Sequence, residues 1–233
     1  MKYMGSKTRI AKHILPIILK NRKENQFYVE PFVGGANIID KVTGNRIGAD
    51  LNSFLIAALE KIRDEPQELP ESHKEASREF YYDVKTDKEH YSKWIVGYFG
   101  FALSYGGKWF GGYAGKRRNG NRDDIQEAHK NAQKQSSMLR GIDFKHSSYL
   151  DLDIPAESII YCDPPYEGAT GYKDSFNHNE FWNWCRFMGS NGHTVFVSEY
   201  NAPEDFECVW EKEVKCTMSS KTALNSVEKM FKI

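Results

Sequence analysis

The sequence predicts an α/β fold with a Rossmann-like, mostly parallel sheet, an antiparallel hairpin at one end of that sheet, and a mainly helical insertion. Three observations lead to this prediction. Strand-like and helix-like segments alternate up to residue 66, and the same alternation resumes after Gly141. Between these two parts, residues 67–140 show helical periodicity and a glycine-rich stretch without the alternation of a strand.

The first 66 residues predict a β-α-β-α unit. ILPIILKN is typical of a short amphipathic helix, and QFYVEPFVGGANIIDKV indicates a strand, a glycine turn and a helix that opens near Asn37. RIGAD predicts a compact strand that ends at Asp50, and NSFLIAALEKIRDE predicts a helix with one apolar face.

Residues 67–140 are predicted to form a helical insertion that divides a core domain of residues 1–66 and 141–233. SHKEASREFYYDVKTDKE and HYSKWIVGYFGFALSY favour helices, and GGKWFGGYAGKRRNGN favours a loop. A further helix is expected to begin at the acidic pair Asp123 and Asp124 and to end before Gly141.

The remainder of the chain predicts further strands. IDFKHSSYLDL and residues 158–162 have strand character, and Asn177 followed three residues later by Glu180 indicates a helix start. HTVFVSE and FECVWEKEVKC then follow each other without an intervening helix. Two strands in direct succession predict the antiparallel hairpin at the end of the sheet.

Composition and charge limit the classes of function that are expected for this protein. The 233 residues carry 32 basic and 32 acidic side chains, which gives zero formal net charge. The segment 104–122 nevertheless contains five basic residues and no acidic one, a distribution that allows a polyanion to bind on one face. The four cysteines form no CxxC pair, and the histidines have no ligand spacing, so we expect no disulfide framework and no metal. With no apolar run long enough for a membrane span and no signal peptide, a cytoplasmic protein is expected.

The glycine turn in EPFVGGAN is a candidate cofactor site. Adjacent glycines allow a ligand to approach the backbone closely, and Asp50 stands at the end of the next strand, where a carboxylate can bind the two hydroxyls of a ribose. The alternative is that Asp50 only caps the helix that begins near Asn52. No lysine follows the glycines as in a P-loop, which argues against ATP and favours another adenosine-containing cofactor.

The motif YCDPPY is the most discriminating feature of the sequence. Two prolines cannot continue a strand, so they form a rigid corner where the predicted strand ends. Together with KYMGSK, YVEPFVGGAN, GADLN, VFVSEYN and the tail SSKTALNSVEKMFKI, this motif resembles the Dam-like (alpha-group, DPPY motif) DNA adenine-N6 methyltransferases that use S-adenosylmethionine. The resemblance covers both ends of the chain and is weakest through the insertion.

The resemblance implies a Rossmann-like methyltransferase sheet and a role for particular residues. It implies that Asp163 and the Pro164 carbonyl accept hydrogen bonds from the adenine amino group and that Tyr166 stacks on the flipped base. Pro165 completes the catalytic motif. Cofactor contacts are implied for Tyr3 (where the family more often has tryptophan), Lys7, Phe32, Gly34, Gly35, Asp50 and Asp163. The implied partner is double-stranded DNA, and a companion restriction nuclease is left open.

The loop GGKWFGGYAGKRRNGN is the predicted target-recognition segment. Its aromatic and basic residues alternate with glycines, a composition suited to phosphate and base contacts. The predicted DNA-binding residues are Lys108, Trp109, Phe110, Tyr113, Lys116, Arg117 and Arg118. The alternative is a surface loop whose aromatic residues anchor it in the core.

Four alternatives to adenine methylation are less favoured. Cytosine-N4 methylation uses a similar pocket, but the motif then more often begins with serine, so Asp163 favours adenine. Methylation of RNA is less favoured, as is methylation of protein glutamine, a group that usually has asparagine at this position and lacks this insertion. A DNA-binding relative that has lost catalysis is disfavoured because every position of YCDPPY is intact.

Overall fold

A seven-stranded sheet forms the centre of the protein. The structure is a computed structural model, described here for residues 1–115, 123–167, 176–215 and 225–233. In the sheet the strands lie in the order β3-β2-β1-β4-β5-β7-β6. Their bounds are β1 Tyr28–Glu30, β2 Arg46–Asp50, β3 Ile142–His146, β4 Ile159–Cys162, β5 Thr194–Glu199, β6 Glu207–Lys215 and β7 Asn225–Lys232.

The first five strands are parallel. β1 pairs with β2 on one side and with β4 on the other, β2 pairs with β3, and β4 pairs with β5. This is the doubly wound order 3-2-1-4-5, in which the direction of strand addition reverses between β1 and β4. The predicted Rossmann-like, mostly parallel sheet is confirmed, and its carboxyl edge at this reversal is where such folds bind ligands.

The antiparallel hairpin lies at the end of the sheet, as predicted, but its strands differ from those expected. β5 and β6 are not neighbours, because β7 lies between them and pairs antiparallel with both. The side chains of the two strands explain why β7, and not β6, lies next to β5. Met230 and Phe231 of β7 are buried, whereas β6 exposes a charged run at residues 211–213, which suits the edge of a sheet.

Helices cover both faces of the sheet. They are α1 Ala11–Ile18, α2 Ser53–Asp64, α3 Arg78–Thr86, α4 Lys93–Gly97, α5 Asp124–Leu139 and α6 His178–Ser190, and a π-helical turn, Tyr98–Ala102, continues α4. α4 packs directly on α2: a Cβ atom added at Gly97 would lie 1.9 Å from the carbonyl oxygen of Phe54. The backbones therefore touch, and this crossing has room only for glycine.

The described residues of the segment 67–140 are helical and contain no strand, only an isolated bridge between Ser104 and Tyr113. Tyr81 and Leu103 from this segment belong to the same apolar cluster as Tyr28 and Ile39 beside the sheet. The helices thus share a core with the sheet. A division into two domains at residues 66 and 141 stays a prediction.

The predicted helix near Asn37 is reduced to a single 3-10 turn, Ile39–Lys41. Val42 is already extended, and Gly44 at φ 79° turns the chain into β2. Too few residues remain between the glycine turn and β2 for a longer helix. The other predicted helix starts agree closely with the structure: Asp123 caps α5 and Asn177 caps α6 through side-chain oxygens.

Candidate active site

The carboxyl ends of adjacent strands bring the main candidate residues to one edge of the sheet. β2 ends at Asp50, β1 leads into the turn at residues 31–36, and β4 ends just before Asp163. Because the three strands lie in the order β2-β1-β4, the glycine turn stands between the two carboxylates. The sheet itself thus assembles residues that are more than 100 positions apart in the sequence.

The amino-terminal segment lies against the glycine turn. Gly34 has a left-handed backbone (φ 48°), and a Cβ atom at this position would lie 2.9 Å from Tyr3 Cε1. A Cβ atom at Gly35 would lie 2.7 Å from the Met1 carbonyl oxygen and 2.7 Å from Tyr3 Cβ. Any larger residue in the turn would displace Tyr3, so the structure brings together three of the predicted cofactor contacts.

Asp50 bridges the turn and the next helix. Its Oδ2 accepts a hydrogen bond from the Gly34 N–H at 3.2 Å, and its Oδ1 accepts one from the Asn52 N–H at 3.0 Å. The cap of α2 is Asn52, whose side chain accepts from the N–H groups of Phe54 and Leu55. Capping is thus not the main task of Asp50. Burial raises the pKa of Asp50 to about 6, against the lowering effect of its two backbone hydrogen bonds.

Asp163 belongs to a cluster of four polar side chains. Lys7 Nζ lies 3.5 Å from Asp163 Oδ1 and 3.1 Å from Glu228 Oε2. The Tyr166 hydroxyl donates to the same Glu228 oxygen at 3.0 Å. The ammonium of Lys7 also lies 4.3 Å from the centroid of the Tyr166 ring, a cation–π distance. One cation thus holds two carboxylates and an aromatic ring together.

The surroundings shift the acid–base properties of this cluster. Burial raises the pKa of Asp163 to about 6, and the negative charge of Glu228 adds to the rise while Lys7 opposes it. Burial alone would lower the pKa of Lys7, but Asp163 and Glu228 raise it above its usual value. Near neutral pH the cluster therefore holds an ammonium and an ionised Asp163, which is the form that accepts hydrogen bonds.

The proline corner is held by neighbouring main-chain contacts. Pro164 is buried and Pro165 half-buried. Beyond them, Glu199 at the end of β5 accepts from the N–H of Glu167 at 3.0 Å and from the N–H of Tyr200 at 2.7 Å. Burial raises the pKa of Glu199 to about 7. The ring of Tyr200 meets the Tyr166 ring edge to face, with centroids 4.7 Å apart.

The sequence analysis missed both Glu199 and Glu228. For Glu199 a signal existed, because an acidic residue follows an apolar strand in VFVSEYN just as Asp163 does in YCDPPY. Glu228 had no such signal. The strand that carries it was not predicted, and its contacts with Lys7 and Tyr166 join distant parts of the chain.

Phe32 lies apart from the Tyr3 side of the turn. Its ring is half-buried and packs against Tyr149, Phe176 and Phe181, with centroid distances of 5.3, 5.8 and 5.7 Å. These residues belong to the second apolar cluster of the protein, whereas Tyr3 packs on the first. The cofactor contact assigned to Phe32 stays a prediction.

The predicted recognition loop turns most of its aromatic rings inward. Trp109 packs between Phe54 and Phe101, at 5.9 and 4.7 Å between centroids, and Phe110 is only 7% exposed. The Tyr113 hydroxyl donates to the carbonyl of Ala76 at 2.6 Å. These three side chains anchor the loop, which is the alternative left open by the sequence.

Among the described residues of this loop Lys108 is exposed, and so is Tyr105 directly before the loop, at 71%. The sequence analysis placed Tyr105 at the end of a helix and did not consider it as a contact residue. Three further predicted DNA contacts, Lys116, Arg117 and Arg118, lie outside the described residues.

Within the residues that the structure describes, no group of three or more histidine, cysteine, aspartate or glutamate side chains is arranged to hold a metal ion. In the same part of the chain, no helix combines the length and apolar character needed to cross a membrane.

Comparison with protein families matches residues 3–203 to the D12 class N6 adenine-specific DNA methyltransferases. None of the curated proteins matches the sequence. Among solved structures, a similar one is the crystal structure of SMU.472, described as a methyltransferase, complexed with SAH. The identity is 9% and the TM-score 0.37, over 98% of this chain and 53% of that protein, so this chain spans about half its length. This likeness is too weak to carry an argument.

The inward packing of the loop predicts that two aromatic substitutions differ greatly in their effect on stability. Trp109→Ala should lower the free energy of unfolding by about 3 kcal/mol or more, because it removes a ring packed between two others. Tyr105→Ala, at the exposed residue directly before the same loop, should change it by less than about 0.5 kcal/mol. Urea unfolding of the two variants measures both values, and equal effects would contradict the packing described here.

Proposed function

Because the chain belongs to the family of D12 class N6 adenine-specific DNA methyltransferases, we propose that it methylates the N6 amino group of adenine in double-stranded DNA, with S-adenosylmethionine as the methyl donor. The observation that carries the proposal is the placement of Asp50, the glycine turn and Asp163 side by side at the carboxyl edge of the sheet. That edge is the ligand-binding side of a doubly wound fold.

The residues present fit an adenosine-containing methyl donor. The glycine turn is buried beneath the Tyr3 ring, so a ligand at this edge would meet Tyr3 and the turn together, and Asp50 offers carboxylate oxygens to ribose hydroxyls at the end of β2. S-adenosylmethionine would supply a methyl group already activated on a sulfonium. The protein therefore needs mainly to align the acceptor nitrogen with that methyl group.

Asp163 and the Pro164 carbonyl act on the acceptor nitrogen. An adenine amino group is a weak nucleophile because its lone pair is delocalised into the ring. Two hydrogen-bond acceptors on its N–H groups favour a more tetrahedral nitrogen and free the lone pair for attack. Asp163, with a pKa of about 6, is largely ionised at neutral pH and so accepts such a bond. The proline corner fixes the direction of the chain at this point.

Tyr166 supports base flipping. Extrusion of a base from a duplex costs a few kcal/mol, and stacking on an aromatic side chain returns about 1–3 kcal/mol. The Tyr166 ring is half-buried and held by Glu228, Lys7 and Tyr200, so its orientation is fixed before DNA arrives. A ring fixed in advance loses less entropy when the base stacks on it.

Lys108 and Tyr105 are the DNA contacts that the exposed side of the loop favours. The loop lies next to the amino-terminal segment: the Met4 N–H donates to the Gly107 carbonyl at 3.1 Å, and Gly107 packs on the backbone of Tyr3. It therefore adjoins the glycine turn and can reach a duplex held at the site. Roles for Lys116, Arg117 and Arg118 in phosphate binding remain part of the proposal.

Asp163→Ala tests the proposed catalytic role. We expect kcat for methyl transfer to unmethylated plasmid DNA to fall by about 10²–10³-fold, as when other preorganised hydrogen-bond partners of a transition state are removed. Binding of duplex DNA and of S-adenosylmethionine should be largely retained. Transfer is measured with radiolabelled donor, and Glu24→Ala, an exposed residue before β1 and far from the carboxyl edge, serves as the control.

Two results would contradict this account in different ways. Near-normal turnover of Asp163→Ala would mean that another group positions the amino nitrogen. A wild-type protein that binds duplex DNA but transfers no label would instead support a DNA-binding relative without catalysis.

Asp50 predicts how cofactor binding depends on pH. Its pKa is raised to about 6, so the carboxylate is protonated and loses its acceptor strength as the pH falls through that value. The Kd for S-adenosylmethionine, measured by calorimetry, should therefore rise below a pH of about 6. Asp50→Ala should weaken binding at neutral pH by about 10- to 100-fold, because a hydrogen bond to a charged group is lost. The variant should also flatten the pH dependence, and an unchanged slope would assign the titration to Asp163.

A further inference from the structure

Glu228 is an unassigned member of the site. It lies on β7, beyond residue 203, where the match to the family ends. A single oxygen of its carboxylate, Oε2, is 3.0 Å from the Tyr166 hydroxyl and 3.1 Å from Lys7 Nζ. The strand is well suited to hold it, because Glu228 pairs with Lys212 of β6 and the next residue, Lys229, pairs with both β5 and β6.

We infer that Glu228 is a positioning residue for the proposed methyl transfer: it holds the Tyr166 ring and draws Lys7 away from Asp163, which keeps the Asp163 carboxylate available to the substrate amino group. The inference rests on the proposed function. It adds a residue that acts through its neighbours and does not itself touch the reacting atoms.

Glu228 first acts through its charge. Lys7 is the cation between the two carboxylates, and it lies closer to Glu228 (3.1 Å) than to Asp163 (3.5 Å). The side chains of Lys7, Glu228 and Asp163 are only 10, 16 and 24% exposed, so solvent screens their interactions weakly. Without Glu228, Asp163 would be the remaining anionic partner of Lys7. The ammonium would then compete with the substrate amine for the Asp163 carboxylate.

Glu228 also acts on the Tyr166 ring. The Tyr166 hydroxyl has Glu228 as its acceptor, and the ring meets Lys7 on one side and the Tyr200 ring edge to face. Loss of the acceptor removes the contact that fixes the outer end of the ring. A base that stacks on Tyr166 would then be less precisely placed with respect to the methyl donor.

Asp163 has several titratable neighbours on different elements. Lys7 lowers its pKa and Glu228 raises it, and replacement of Glu228 by a neutral residue changes both influences in the same direction. The other groups coupled to it stay in place in that variant. They are Tyr166 on the same loop, Tyr161 and Cys162 on β4, Glu30 on β1 and Glu199 on β5.

The test compares Glu228→Gln, Glu228→Ala and Tyr166→Phe with wild type. Glu228→Gln keeps an acceptor for Tyr166 but removes the charge, whereas Tyr166→Phe removes the hydrogen bond and keeps the charge. We expect Glu228→Gln to lower the single-turnover rate by about 10- to 100-fold with little change in DNA or cofactor affinity. The acidic limb of its pH–rate profile should move to lower pH. Tyr166→Phe should lower the rate without shifting the acidic limb to lower pH. Glu228→Ala should both lower the rate and shift the acidic limb to lower pH.

The control is Glu211→Gln, an exposed glutamate on the neighbouring strand β6, which should behave as wild type. The pKa of the Asp163 carboxyl, followed by ¹³C NMR in the absence of DNA, gives a second readout that does not require activity. It should fall in Glu228→Gln.

The results of these experiments test the inference about Glu228 separately from the proposed function. An active wild type together with an unshifted profile in Glu228→Gln overturns the inference and leaves the proposed function standing. A rate loss that tracks a fall in melting temperature, without a shift in the pH–rate profile or in the Asp163 pKa, shows a purely structural role and also overturns it. A wild type that transfers no methyl group to DNA overturns the proposed function, and the catalytic role of Glu228 with it.

Discussion

The close contact between the amino-terminal segment and the glycine turn is the constraint on which the site depends. Tyr3 can lie over the turn only because residues 34 and 35 have no side chain, and a Cβ atom at either would meet Tyr3. Once this segment is in place, Lys7 reaches the carboxylates of Asp163 and Glu228, and Gly107 of the loop packs on the Tyr3 backbone. The glycine turn, the proline corner and the loop are therefore joined through a few residues at the start of the chain.

Charge is the second organising factor. The carboxyl edge gathers partly or fully buried acids from β1, β2, β4, β5 and β7, and burial raises the pKa values of Asp50 and Asp163 to about 6. Lys7 is the cation that forms ion pairs within this group, with Asp163 and with Glu228. A cationic methyl donor and the amino group of a base are both suited to such an environment, because each interacts favourably with carboxylate oxygens. The same carboxylates would repel the phosphates of DNA. The basic side chains expected to contact DNA are accordingly in the loop, of which Lys108 is described and exposed.

Much of the fold and part of the site could be predicted from the sequence. The strands that end at Asp50 and Cys162 were predictable because apolar runs end there in polar, turn-forming residues. The placement of β7 was not, because its selection over β6 for the interior depends on which strand buries Met230 and Phe231. The role of Glu228 could not be predicted either, since a long-range ion pair leaves no local pattern in the sequence. The role of Trp109 was also beyond prediction from the sequence. A glycine-rich loop with aromatic residues suits DNA binding and anchoring in the core equally, and only the packing of Trp109 against Phe101 distinguishes the two roles.

The central claim is that this carboxyl edge presents an adenine amino group to a methyl donor. The most direct measurement is mass spectrometry of the nucleosides released from unmethylated duplex DNA after incubation with the purified protein and S-adenosylmethionine. The account predicts N6-methyldeoxyadenosine as the product, formed by the wild type and lost in Asp163→Ala. N4-methyldeoxycytidine, or no methylated nucleoside at all, would contradict it.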